Sequence, residues 1–76
     1  MVERRERNKN IVLDYLLNND IYYFKCKHVN KKIKRLRHAQ VSNGLRALNE
    51  EGYIVKFNDS ETWTVTQKFK DLKEAT

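Results

Sequence analysis

Apolar positions recur along this chain in two rhythms, and the changes of rhythm divide it into elements. Ile11, Val12, Leu13, Tyr15, Leu16 and Leu17 build one helical face, with Val12/Leu13 and Leu16/Leu17 at its centre. They predict a first helix from about Glu3 to Leu17, closed by the turn residues Asn18-Asn19-Asp20. Ile21 to Phe24 is β-branched and aromatic and too short for a helix, which predicts a small strand. Val29, Ile33, Leu36, Val41, Leu45 and Leu48 then return to helical intervals of three to five residues. They divide into a second helix, about Cys26 to Lys34, and a third, about His38 to Glu51, with Gly52 as the C′ residue that ends it. From Tyr53 to Thr66 the period is two: Thr62, Thr64 and Thr66 alternate with Trp63 and Val65, beyond the polar turn Asn58-Asp59-Ser60-Glu61. Phe69 and Leu72 lie three apart, as in a short amphipathic C-terminal helix or a frayed tail.

The order helix, strand, helix, helix, strand, strand is that of a winged helix-turn-helix. The expected fold is therefore α+β, mainly α: a three-helix core with a β-hairpin wing over residues 1–66, followed by a C-terminal helix or tail over 67–76. Seventy-six residues suffice for one domain and are too few for two. A chain this short buries only about 60% of its unfolded surface, so its core is thin. A homodimer paired through the first helix and the Phe69/Leu72 segment is the expected remedy. The single cysteine, Cys26, has no internal partner, which favours a reducing compartment. No apolar run approaches the roughly 20 residues of a membrane span, and the start MVERRERNKN lacks a signal-peptide core. These features point to a soluble cytoplasmic protein with no membrane association.

Charge changes the picture more than composition does. The net charge is +6, and the segment Lys25, Lys27, Lys31, Lys32, Lys34, Arg35, Arg37 carries seven cations without one acid. The remainder of the chain is close to neutral, so this segment accounts for more than the whole net charge. A basic run beside an amide-bearing helix suits a polyanion. With Val41 at zero on a helical wheel, Leu45 and Leu48 fall within about 40° of it. Ala39, Asn43, Arg46, Ala47 and Glu50 lie opposite, flanked by Gln40 and Ser42. Short side chains, amides and an arginine are what a helix entering a major groove needs, which makes Gln40, Ser42, Asn43 and Arg46 the candidate base readers. Lys25, Lys27, Lys31, Lys32, Lys34, Arg35, Arg37 and His38, with Lys56 in the wing, are the candidate phosphate contacts. Glu50 and Glu51 mark the end of the helix that phosphates repel. Trp63 alternates with threonines and is expected in the core rather than as a base-stacking platform.

The stretch Tyr23-Phe24-Lys25, His28-Val29, the apolar positions Val41, Leu45 and Leu48, Glu51-Gly52-Tyr53-Ile54 and Thr62-Trp63-Thr64-Val65 together resemble small archaeal winged-helix transcriptional regulators. The resemblance covers roughly residues 10–66 and implies a winged helix-turn-helix fold, a cytoplasmic location and binding of double-stranded DNA. Two departures stand out. Cys26 occupies the region where a serine or threonine would cap the second helix. The turn Lys34-Arg35-Leu36-Arg37 also lacks the glycine common between such helices.

Other chemistries find little support. A structural zinc site needs four ligands, and Cys26, His28 and His38 include only one cysteine. No glycine-rich phosphate loop and no recognisable pair of carboxylates are present. Cys26 and His28, two apart on a helix, point in different directions. The expectation is a non-enzymatic protein without cofactor, metal or small-molecule substrate. Rival expectations are an RNA- or ribosome-associated winged helix and a protein-interaction module of a transcription complex.

Overall fold

The computed structural model of the chain describes residues 4–19, 21–57 and 61–75, with side chains from Glu6 onward. These residues form α1 (Arg4–Leu17), β1 (Tyr23–Lys25), α2 (Cys26–Lys32), α3 (His38–Glu50), β2 (Ile54–Lys56), β3 (Thr62–Val65) and α4 (Gln67–Ala75). The result is a small, mainly helical α+β domain with a three-stranded antiparallel sheet of order β1-β3-β2. Of the Asn58 to Glu61 turn expected between β2 and β3, residues 58–60 lie outside the described residues, as does Asp20.

One core joins all the elements. Val12 and Leu16 of α1, Val29 of α2, Val41, Leu45 and Leu48 of α3, Ile54 of β2 and Phe69 of α4 are essentially fully buried. Phe24, Trp63 and Val65 complete it from the sheet, and Ile33 and Leu36 from the end of α2 and the turn after it. Trp63 therefore lies in the core, as its alternation with threonine suggested. Phe69 corrects an expectation. It is 0% exposed and holds α4 onto the domain, so it is not available to pair two chains. Ile11 and Tyr15 are also packed against the core rather than stranded on the surface.

The helix ends explain how the chain manages without the usual caps. β1 leads directly into α2 through Lys25, which is extended and supplies no side-chain cap. The glycine-free turn between α2 and α3 is fixed by the burial of Leu36 and by Asn30, whose Nδ2 donates to the Leu36 carbonyl at 3.1 Å. At the other end of α3, Gly52 adopts a φ of 85°, and the Tyr53 N–H reaches the Leu48 carbonyl at 2.9 Å. With the Gly52 N–H on the Asn49 carbonyl, this is a Schellman ending. Lys68 of α4 adds a cation to the negative end of the helix by donating to the Glu51 carbonyl at 2.6 Å.

α1 crosses α3 at Gly44. A Cβ at that position would stand 2.8 Å from the Asn8 carbonyl oxygen and 3.0 Å from a Val12 methyl. Beside the crossing, the nearly buried Lys9 bridges Glu51 at 2.7 Å and Glu6 at 2.8 Å. The hydrogen bond to Glu51, and then that to Glu6, raises the lysine above its ordinary value of 10.5 against the opposing effect of burial.

Two outcomes follow from this crossing. Alanine favours a helix over glycine by about 1 kcal/mol. Gly44→Ala will nevertheless destabilise the domain by about 1–3 kcal/mol in denaturant titration, because the obstacle is backbone and cannot rotate away. The stabilisation lost in Lys9→Gln will be constant below the ordinary lysine range and will disappear as pH rises through the raised value. A raised folded-state value means that the bridge contributes only while Lys9 is protonated. Unfolding of both chains at a series of alkaline pH values checks this.

Candidate nucleic-acid interface

The rotation of α3 about its axis decides which of its side chains face outward. Gly44 and Glu51 touch α1, and Ala47, on the same flank, is buried. The expectation that Ala47 faces outward is therefore corrected: the apolar arc is wider than the Val41/Leu45/Leu48 stripe because α1 closes over its small-residue side. The outward arc is displaced toward the β2/β3 pair, and Arg46 stands near its middle, about 140° from Val41. Asn43, though exposed, lies toward the α1 edge of that arc.

An open cleft of about 440 Å³ runs between this side of α3, the start of α2 and the open end of the β2/β3 pair. It brings together Lys25, Lys27, His38, Ser42, Arg46 and Lys56, which the sequence had put forward for two different roles. Leu45 and Trp63 line its apolar part, and Glu61 is its one acid. Lys56 extends over the Trp63 ring, with Nζ 5.4 Å from the centroid, so the ring steers the ammonium at the cleft wall. Asn49 also lines the cleft and was missed in the sequence. Its signal was there: His38, Ser42, Arg46 and Asn49 follow each other at four, four and three residues, a single helical ridge.

The basic run does not act as one surface. Lys32, Lys34 and Arg35 line a separate groove of about 450 Å³ against the end of α1, beside Asp14 and Tyr15. Lys31, Arg37 and Asn43 are exposed and line neither recess. Gln40 has a structural task. Its Oε1 accepts the Arg37 backbone N–H at 2.8 Å, closing the first turn of α3 from position N3. Arg37 has no acceptor to offer in return, so this is half of a capping box. Bidentate pairing of Gln40 with adenine would use the same oxygen, which makes Gln40 a residue that positions α3.

The start of α2 is tied to the start of α3 by a contact of 3.6 Å between Cys26 Sγ and His38 Nε2. Burial pushes the Cys26 thiol above its ordinary value of 9.0, so at neutral pH it is a thiol. The sequence had weighed Cys26 against His28, which is exposed. Among the described residues no three His, Cys, Asp or Glu side chains are grouped to hold a metal ion, and no helix is long and apolar enough to cross a membrane. No family model, curated protein or solved structure matches the chain, so its reading rests on its own residues.

Gln40→Ala will lower stability by about 0.5–2 kcal/mol through loss of the cap. Thermal unfolding of the variant beside the wild-type chain will show this.

Proposed function

We propose that this chain is a cytoplasmic, non-enzymatic winged-helix protein that binds double-stranded DNA and regulates transcription. The element order and the β1-β3-β2 strand order support the winged-helix reading, with the β2/β3 pair as the wing. The single observation that carries the function is the convergence of Lys25, Lys27, Arg46 and Lys56 on one cleft beside α3. With α3 in a major groove, the adjoining phosphate strand runs between α3 and the wing, where four cations await it. Asn43 then faces base edges, Arg46 holds the phosphate strand beside them, and Ser42 serves whichever group comes within reach. The acids Glu50 and Glu51 at the far end of α3 set the direction in which the helix enters.

Four phosphate contacts give a slope of log K against log salt of about −3 to −4 on duplex DNA. In a salt titration, Lys27→Ala with Lys56→Ala will reduce that slope by about 2 for every sequence. Lys32→Ala with Lys34→Ala, in the other groove, will change it less. On a site selected from random duplexes, Asn43→Ala will cost about 1–3 kcal/mol while leaving random duplex unaffected. Equal binding to duplex DNA, duplex RNA and single strands would move the reading to the RNA rival. Absence of binding at low salt would leave the interaction module.

A further inference from the structure

The cleft beside α3 contains a group of a kind that changes charge near neutral pH. Among its described lining residues Lys25, Lys27, Arg46 and Lys56 are cations and Glu61 is an anion, and side chains of these types hold their charge from about pH 6 to about pH 8. Cys26 is a thiol throughout, because burial raises it above its ordinary value of 9.0. The remaining ionisable residue is His38, and histidine is the side chain that ordinarily gains or loses its proton in this interval. As the first residue of α3, it stands at the positive end of the helix dipole. Its Nε2 faces Cys26 Sγ at 3.6 Å, and Lys25 and Lys27 adjoin that cysteine in the chain. Arg46 lies further along the same ridge of α3, β2 contributes Lys56, and Glu61 stands just before β3. His38 is exposed, so a ligand entering the cleft can reach it. His28, the other histidine, lies outside the cleft.

A phosphate strand changes the electrostatics of this place. Without it, the permanent charges of the cleft are four cations about one acid. With a strand seated there, anionic oxygens stand against the same groups. A phosphate oxygen beside an imidazole favours its charged form, and the imidazolium returns a charge-assisted hydrogen bond. We propose that binding of duplex DNA in this cleft is coupled to protonation of His38, so that the complex takes up a proton and affinity rises as pH falls. The inference rests on the reading of the cleft as the site of a phosphate strand. Its sign follows from linkage: the bound state holds more protons than the free state, so acid favours the complex and the strand in turn retains the proton. The contact with Cys26 is no obstacle. Both ring nitrogens of an imidazolium donate, so Nε2 can remain on the sulfur, a weak acceptor, while the other nitrogen serves an oxygen.

Fluorescence anisotropy of a labelled random-sequence DNA duplex, titrated with the full chain at constant ionic strength from about pH 6 to about pH 8, tests this. The dissociation constant of the wild-type chain is expected to rise about 3- to 10-fold over that span. His38→Gln keeps a hydrogen-bonding side chain that takes up no proton. It will bind like the wild type at the alkaline end and lose the pH dependence, whereas His28→Gln will keep it. Groups common to all three chains, the terminal amine included, cancel in the comparison. Proton NMR of the wild-type chain provides a second reading without any variant: the His38 ring will stay protonated to higher pH with the duplex than without it. Equal pH dependence in the wild type and a folded His38→Gln chain overturns the coupling and leaves DNA binding standing. So does a His38 titration that the duplex does not move. Absence of duplex binding at every pH overturns the reading of the cleft and this inference with it.

Discussion

The close crossing of α1 and α3 at Gly44 is the constraint on which the rest of the domain depends. A glycine in mid-helix costs about 1 kcal/mol relative to alanine, a poor choice unless something occupies the space of a side chain. Here the α1 backbone at Asn8 occupies it. The crossing brings the helices together with main chain against main chain, which leaves little freedom to slide or turn. Lys9, bonded to Glu51, then fixes α1 along the length of α3. Once the Gly44 and Glu51 flank is committed to α1, the ridge His38, Ser42, Arg46, Asn49 must look toward the sheet. The composition of the cleft follows from a helix contact on the opposite flank.

That contact also redistributes the charge of the basic run. In sequence its seven cations are contiguous, but the turn after α2 folds the chain back and sends its two ends into different recesses. Lys25 and Lys27 join Arg46 and Lys56 from other elements, whereas Lys32, Lys34 and Arg35 face the end of α1 near Asp14. The first set gathers four cations about one acid, Glu61, and their mutual repulsion opposes the folded state at low salt. The second set has an acidic side chain close by. A bound polyanion relieves repulsion in the first recess more than in the second, which is why the cleft beside α3 carries the functional reading.

Most elements were legible in the sequence because their signals are local. The period of α1, the alternation around Trp63 and Gly52 at the end of α3 each declare themselves within a few residues. The burial of Ala47 was not legible, since alanine is small enough for either environment and only the α1 crossing decides. Phe69 and Leu72, three apart, left a short helix and a frayed tail both open, and only a distant gap in the core, filled by Phe69, decides for the helix. At the candidate site, residue types were readable and groupings were not. Lys56 and Arg46 are ten residues apart, Lys25 is further still, and nothing local says that they share a cleft. Gln40 shows the opposite limit: an amide at N3 of a helix fits a cap as well as a base edge. The hydrogen bond to Arg37 identifies the cap.

The strands themselves separate the two surfaces of this domain. Along β2 and β3 one alternate set, Ile54, Lys56, Trp63 and Val65, closes the core and supplies one cation of the cleft. The other set, Val55, Phe57, Thr62 and Thr64, turns away and is almost free of charge. A shift of one residue would exchange the sets, turning Ile54, Trp63 and Val65 into solvent and threonines into the core, so the core holds the register against slippage. The same register puts Lys56 on the core side of the sheet and Lys25 on the other, so the cleft at the open end of the β2/β3 pair draws a cation from each face.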